Sequence, residues 1–181
     1  MNYESENINI SLPVFAVHGN HDDPAGDGAL SALDLLAASN YINYFGKHKS
    51  VDDISVYPVL IQKGETKVAI YGIGAVRDER LYRTFQHKKV KLLRPSEPES
   101  EQEEEKSEWF NILILHQNRA QHSAKNHIHE AMLDNFLDLV LWGHEHECLI
   151  ESQASSVGSF FISQPGSSIA TSLSEGETKK K

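Results

Sequence analysis

Cysteine is nearly absent from this 181-residue chain: Cys148 is the only one, which excludes an internal disulfide and points to a reducing compartment. Long apolar runs are absent too. None approaches the roughly 20 residues needed to cross a bilayer, and the polar start MNYESENINI has neither the basic nor the apolar region of a secretion signal. No membrane association is expected. Hydrophobic residues at 39% and charged residues at 24% exclude collagen, coiled coil and wholesale disorder, leaving a water-soluble globular domain.

Positive charge is also scarce, since the formal net charge is −9. That deficit is uneven along the chain. The stretch from Pro95 to Glu108 holds seven glutamates and one lysine. A run of like charge mixed with Pro and Ser buries too little apolar surface to offset its ordering entropy, so a solvated, disordered loop is expected there. The net charge therefore says little about the active face. A phosphate substrate can be met by bound cations instead.

Elsewhere apolar runs alternate with helical patterns, which predicts an α/β, layered architecture in one domain over residues 1–181. Pro13 to Val17 reads as a strand running into a loop. Ala29, Leu30, Leu33, Leu35 and Leu36 fit one face of a helix from Ala29 to Ala38 that stops near Ser39 and Asn40. Val56–Gln62 and Lys67–Ile73 read as a hairpin around a four-residue link containing Gly64. Asp78–Phe85 predicts a helix, Trp109–Leu115 a strand, Glu130–Phe136 a helix and Asp138–Trp142 a strand.

Three of the strands end in polar clusters able to bind metal. These are Gly19 to Asp22, Leu115 to Asn118 and Gly143 to His146. Neighbouring strands deliver the loops at their carboxyl ends to one rim, so three distant segments can share a site. In an extended stretch residues two apart point the same way, which would aim His144 and His146 together. Imidazole and amide donors suit Mn²⁺, Zn²⁺ or Fe²⁺. Cys148 is either a thiolate ligand or, by preference, a small residue in a short strand. His48, His87, His122, His127 and His129 fall outside these motifs and are expected to be exposed or locally hydrogen-bonded, while His18 adjoins the site without a role.

The clusters GNHD and GHEH, with a strand-ending histidine between them, resemble the calcineurin-like metallophosphoesterase superfamily. The words PVFAVHGNHDDP, IYGIGAVRDERLYRTF, LHQNR, DLVLWGHEHEC and FFISQPGSSIATSLSEGE narrow this to the eukaryotic meiotic recombination 11 family, relatives of bacterial SbcD. The resemblance implies a metallophosphoesterase-type β-sheet sandwich flanked by helices. It also implies a nuclease that cuts DNA phosphodiester bonds, as exonuclease and endonuclease, with two divalent ions, Mn²⁺ foremost. Asn20, His116 and His144 would bind one ion and His146 the other. His21 would contact the scissile phosphate and protonate the leaving group, with Asp22 orienting it through a hydrogen bond. Gln117 and Asn118 would support the site, and Gln164 to Ser168 would form its wall or a structural turn.

The resemblance further implies a nuclear protein acting on DNA as a homodimer, beside a coiled-coil ABC-type ATPase subunit and a nibrin-like subunit. Lys88, Lys89, Lys91, Arg94, Arg77, Arg80, Arg83 and Arg119 are candidate contacts to DNA phosphates. The family also carries Asp-x-His and Gly-Asp segments, and neither occurs before Gly19, so an N-terminally truncated domain is expected. Two other function classes compete with this reading. One is a phosphoprotein or small-molecule metallophosphatase, and the other is a catalytically inactive binding module.

Overall fold

A computed structural model describes residues 1–9, 11–95, 109–120 and 125–178. The expected acidic loop, beyond Pro95, and His122 lie outside the described residues. Among the described residues there are ten strands: β1 Phe15–Ala16, β2 Asn43–Tyr44, β3 Ile54–Val56, β4 Val59–Lys63, β5 Thr66–Ile73, β6 Val90–Leu92, β7 Phe110–His116, β8 Leu139–Gly143, β9 Leu149–Ala154 and β10 Phe161–Gln164. Two helices join them, α1 Ala32–Ala38 and α2 Asp78–Gln86.

Six strands form one mixed sheet in the order β4, β5, β7, β8, β10, β9, with β5, β7, β8 and β10 parallel at its centre. Register explains why the core gathers on one face. Tyr71 faces Leu113 and Ile73 faces Leu115, Leu113 faces Val140 and Leu115 faces Trp142, and Val140 faces Ile162. All of these are buried, and Ile54 and Val56 of β3 and Leu81 of α2 close over them in the same cluster. Fully burying an aliphatic or aromatic side chain contributes about 1.5–3 kcal/mol, so this single face supplies most of the stabilisation. The α/β layering expected from the sequence is present. Among the described residues no helix is long and apolar enough to cross a membrane.

Several element boundaries differ from expectation. Strand β1 is only two residues long, in parallel with β2. Helix α1 starts at Ala32 because Ala29 adopts φ +44 and donates to Gly26, and Ser31 then caps the helix together with Asp34. The hairpin turn is Gly64 and Glu65 alone, since Lys63 pairs with Thr66. Gly64 takes φ +60, a conformation that glycine adopts without strain. Val56 belongs to the separate β3–β6 pair. The helix expected over Glu130–Phe136 is a single 3-10 turn, Glu130–Met132. Leu133 leaves helical geometry at ψ 151, and Leu133 and Leu137 both enter the core on either side of a turn at Asn135 and Phe136, closed by Leu137 donating to the Asp134 carbonyl.

Candidate metal centre

Strands β7 and β8 end side by side, with His116 opposite Gly143. The next residue, His144, therefore stands beside His116. Asn20 arrives from the loop after β1, which is stitched to the chain just beyond β5 by Ala75 donating to the His18 carbonyl, while Gly74 donates to the carbonyl of Gly46 after β2. The result is a triangle of donor atoms. Asn20 Oδ1 is 3.0 Å from His116 Nε2 and 3.2 Å from His144 Nδ1, and the two nitrogens are 3.3 Å apart.

That spacing fits one divalent ion. Neighbouring ligands at about 2.1 Å from an ion in octahedral geometry stand about 3 Å from each other. Burial, reinforced by His144, pushes the His116 pKa down to about 4, so its imidazole is neutral and its lone pair available at physiological pH. Among the described residues no three His, Cys, Asp or Glu side chains gather on one point. The converging set is two imidazoles and one amide, and Cys148, buried just before β9, takes no part.

Glycine makes the approach possible. A Cβ at Gly19 would lie 2.9 Å from His116 Cε1, and one at Gly143 would lie 3.1 Å from His116 Nδ1. The imidazole is thus clasped between two bare backbones. His144 sits at φ +82, a costly conformation for a non-glycine residue, of the kind that clusters at functional sites.

The other expected residues are placed differently. His146 does not share partners with His144, because the bend at His144 breaks the extended stretch on which common aim depended. It contacts Thr171 Oγ1 at 2.6 Å instead. His21 and Asp22 are exposed beside Asn20, and no hydrogen bond joins their side chains. Asp22 acts through its charge, which counters the fall in the His116 pKa. Gln117 is buried and lines a cavity of ≈ 220 Å³ with Asn20, His116, His144 and Arg77, and its Nε2 has no partner among the described residues. Asn118 donates to Asp78 at 2.8 Å. Gln164 donates to the Glu147 carbonyl, bracing the loop after β8.

Three supporting groups lie within the quoted words but had no role assigned to them from the sequence. Glu145 Oε1 accepts from the backbone N–H groups of Arg119 and Ala120 at 2.6 and 2.8 Å, tying the loop after β7 to the loop after β8. His18 is buried, with Nδ1 2.9 Å from the Tyr44 hydroxyl and Nε2 3.2 Å from the Ala75 carbonyl. Burial holds its pKa below the usual histidine value. Glu177 is the third, with its carboxylate behind His146. His127 is buried against the His129 ring, and His48 has a buried Nε2.

The candidate phosphate contacts are placed differently from one another, and Arg94 lies over the Phe136 ring. Arg119 is withdrawn from solvent: it bonds Glu130 at 3.1 Å and Gln164 at 3.2 Å and lies over the Trp142 ring. It is a structural residue, contrary to expectation. Arg77, Arg80, Arg83, His87 and Lys89 line one open groove, although Arg80 is held by Asp52 at 3.0 Å.

Comparison with known proteins gives the chain its relatives. The chain is 54% identical over all its residues to the double-strand break repair protein MRE11 of Homo sapiens, 25% of whose length it covers. It is 53% identical to MRE11 of Arabidopsis thaliana, again across the whole chain and 25% of the relative. The double-strand break repair protein mus-23 of Neurospora crassa is 50% identical, with 24% of its length covered. The chain thus spans about a quarter of the length of these relatives. Residues 1–148, which include Asn20, His116, His144 and His146, match the calcineurin-like phosphoesterase family, whose members use divalent metal ions, and the chain belongs to that family.

Proposed function

We propose that this chain carries metal-binding and cutting residues of a DNA double-strand-break repair nuclease. The observation that carries the reading is the convergence of Asn20, His116 and His144 from three strand ends, in a chain half identical to proteins named for double-strand break repair. Asn20, His116 and His144 hold one divalent ion and His146 the second, with Mn²⁺ the expected metal. When bound, the ions neutralise phosphodiester charge and lower the pKa of an attacking water.

The chain's own residues do the rest. His21, exposed beside the ligand Asn20, is free to reach a phosphate and to give its proton to the departing oxygen. Asp22 follows His21 in the same exposed loop and is the residue assigned to orient it. Arg77 lines both the metal cavity and the groove along α2, so it connects the site to Arg83, His87 and Lys89, whose contacts with phosphates would seat a duplex without reading its sequence. Helix α1 is the surface for a second copy: none of its residues is buried and Leu35 is 71% exposed. The coiled-coil ATPase and nibrin-like partners, and the nucleus as the place of action, belong to the same reading.

The test compares Mn²⁺-dependent hydrolysis of linear duplex DNA with hydrolysis of a phosphopeptide, using the full-length protein and its His116→Ala variant. DNA cleavage lost in the variant supports the nuclease. Turnover of the phosphopeptide without DNA cleavage would assign a phosphatase instead.

A further inference from the structure

His146 stands at the end of a hydrogen-bonded chain that the proposed reaction does not use. Its Nδ1 lies 2.6 Å from Thr171 Oγ1, and that hydroxyl lies 2.9 Å from Glu177 Oε2. The direction of donation follows from the number of hydrogens present. Glu177 accepts from the Thr171 N–H at 2.6 Å, the Ser172 N–H at 3.2 Å and the Ser172 hydroxyl at 2.7 Å as well, so its carboxylate is an acceptor throughout. The single hydroxyl hydrogen of Thr171 therefore goes to Glu177. Its oxygen has only lone pairs left, and the hydrogen in the 2.6 Å contact must come from His146 Nδ1. In that tautomer the ring's lone pair resides on Nε2.

The support is rigid where it needs to be. The Glu177 side chain is 6% exposed while that of His146 is 53% exposed, so the relay is inside and the imidazole reaches outward. Cys148 donates to the Gly176 carbonyl at 3.0 Å, and Ser167 donates to the His146 carbonyl at 3.2 Å. Gly176 lies so close to the chain after His146 that an added Cβ would come within 2.6 Å of Glu147 Cγ.

We infer that Thr171 and Glu177 are positioning residues for His146, holding its imidazole in the Nδ1–H tautomer so that Nε2 alone is presented as a lone-pair donor to a divalent cation. The metal part of this inference rests on the reading of His146 as a ligand. The tautomer does not.

¹⁵N NMR of histidine-labelled, metal-free protein reads the tautomer, with His146→Gln assigning the signal, and calorimetric titration with Mn²⁺ reads the affinity. The wild type should carry its proton on Nδ1. Thr171→Val keeps the shape and removes the hydroxyl, so the tautomer preference should disappear and Mn²⁺ affinity should fall about 10–100-fold, the usual effect of losing an outer support. Thr171→Ser should retain both. A wild-type proton on Nε2 overturns the inference, as does a Thr171→Val protein unchanged in tautomer or affinity, or a Thr171→Ser protein as impaired as Thr171→Val. If the tautomer and Mn²⁺ affinity behave as stated while duplex DNA is not cut, the nuclease reading fails and the positioning role stands.

Discussion

Asn20 Oδ1 and His116 Nε2 are 3.0 Å apart although 96 residues separate them in the chain. Asn20 Oδ1 is an acceptor, and His116 Nε2 is one too in the tautomer that carries its proton on Nδ1, so a shared cation would satisfy both lone pairs. Replacing either by alanine should weaken Mn²⁺ binding measured by calorimetry. His21→Asn should leave that affinity unchanged while DNA cleavage falls about 10²–10⁴-fold, the range expected when a general acid is lost. Loss of metal from the His21 variant would refute its assignment as a proton donor.

Gly143→Ala should damage the site without unfolding the protein. The added carbon would lie 3.1 Å from His116 Nδ1 and 3.3 Å from the Leu115 carbonyl, and overpacking of this kind costs about 1–3 kcal/mol. The yielding partner is the imidazole, the more mobile of the two. Mn²⁺ affinity should drop while the circular dichroism spectrum is retained, and unchanged affinity would show that the ring has slack.

Acid should destabilise the metal-free fold through its buried histidines. His116 titrates at about 4 rather than 6.5, chiefly because it is buried, and His18 and His48 are lowered for the same reason. Below about 6.5 the unfolded chain binds more protons than the folded one. This contribution to stability is complete above that pH, declines as pH falls towards 4, and levels off beneath it. Urea midpoints recorded from pH 7.5 to 4 should fall, with a shallower fall in His116→Gln. A midpoint rising on acidification would contradict the account.

Leu35→Glu with Leu36→Glu should leave a folded monomer. Both side chains are exposed, at 71% and 42%, so no core contact is removed, whereas an apolar self-interface would gain buried charge. Sedimentation should report the change in mass. Unfolding would return α1 to the core, and an unchanged dimer would place the interface elsewhere.

Arg119→Ala should lower thermal stability and leave DNA affinity intact, since the guanidinium is bonded to Glu130 and Gln164. Leaving partly buried partners unsatisfied costs about 1–3 kcal/mol. A fall in DNA affinity at unchanged melting temperature would restore it as a phosphate contact.

The convergence of Asn20, His116 and His144 was legible in the sequence because each lies at or soon after the end of a strand, and strand ends are where neighbouring segments meet. Strands β7 and β8 were legible as short apolar runs, and helix α2 as a helical pattern. The helix expected after Glu130 was not, since Leu133, Phe136 and Leu137 repeat at helical spacing whether they pack as a helix or as a turn with two anchors. The start of α1 could have been found from Ser31 and Asp34, whose three-residue spacing is a capping signal. Glu145, Thr171 and Glu177 stand inside recognisable words, but nothing local told what each would bond. Their partners lie across loops, and only the folded register brings a carboxylate to Arg119 or a hydroxyl to His146.

The two imidazoles and the asparagine are not mounted alike. His116 and His144 leave adjacent strands of one sheet, and Glu145 fastens the loops that follow, so their separation is set by backbone pairing. Asn20 comes on a loop whose strand, β1, has two residues and lies outside that sheet. An ion of different radius would leave the imidazoles where they are and shift the asparagine arm. In the proposed site, discrimination between metals would fall on one amide oxygen and the stiffness of the segment bearing it, so that shortening or loosening the chain between His18 and Pro24 should retune ion preference without touching a histidine.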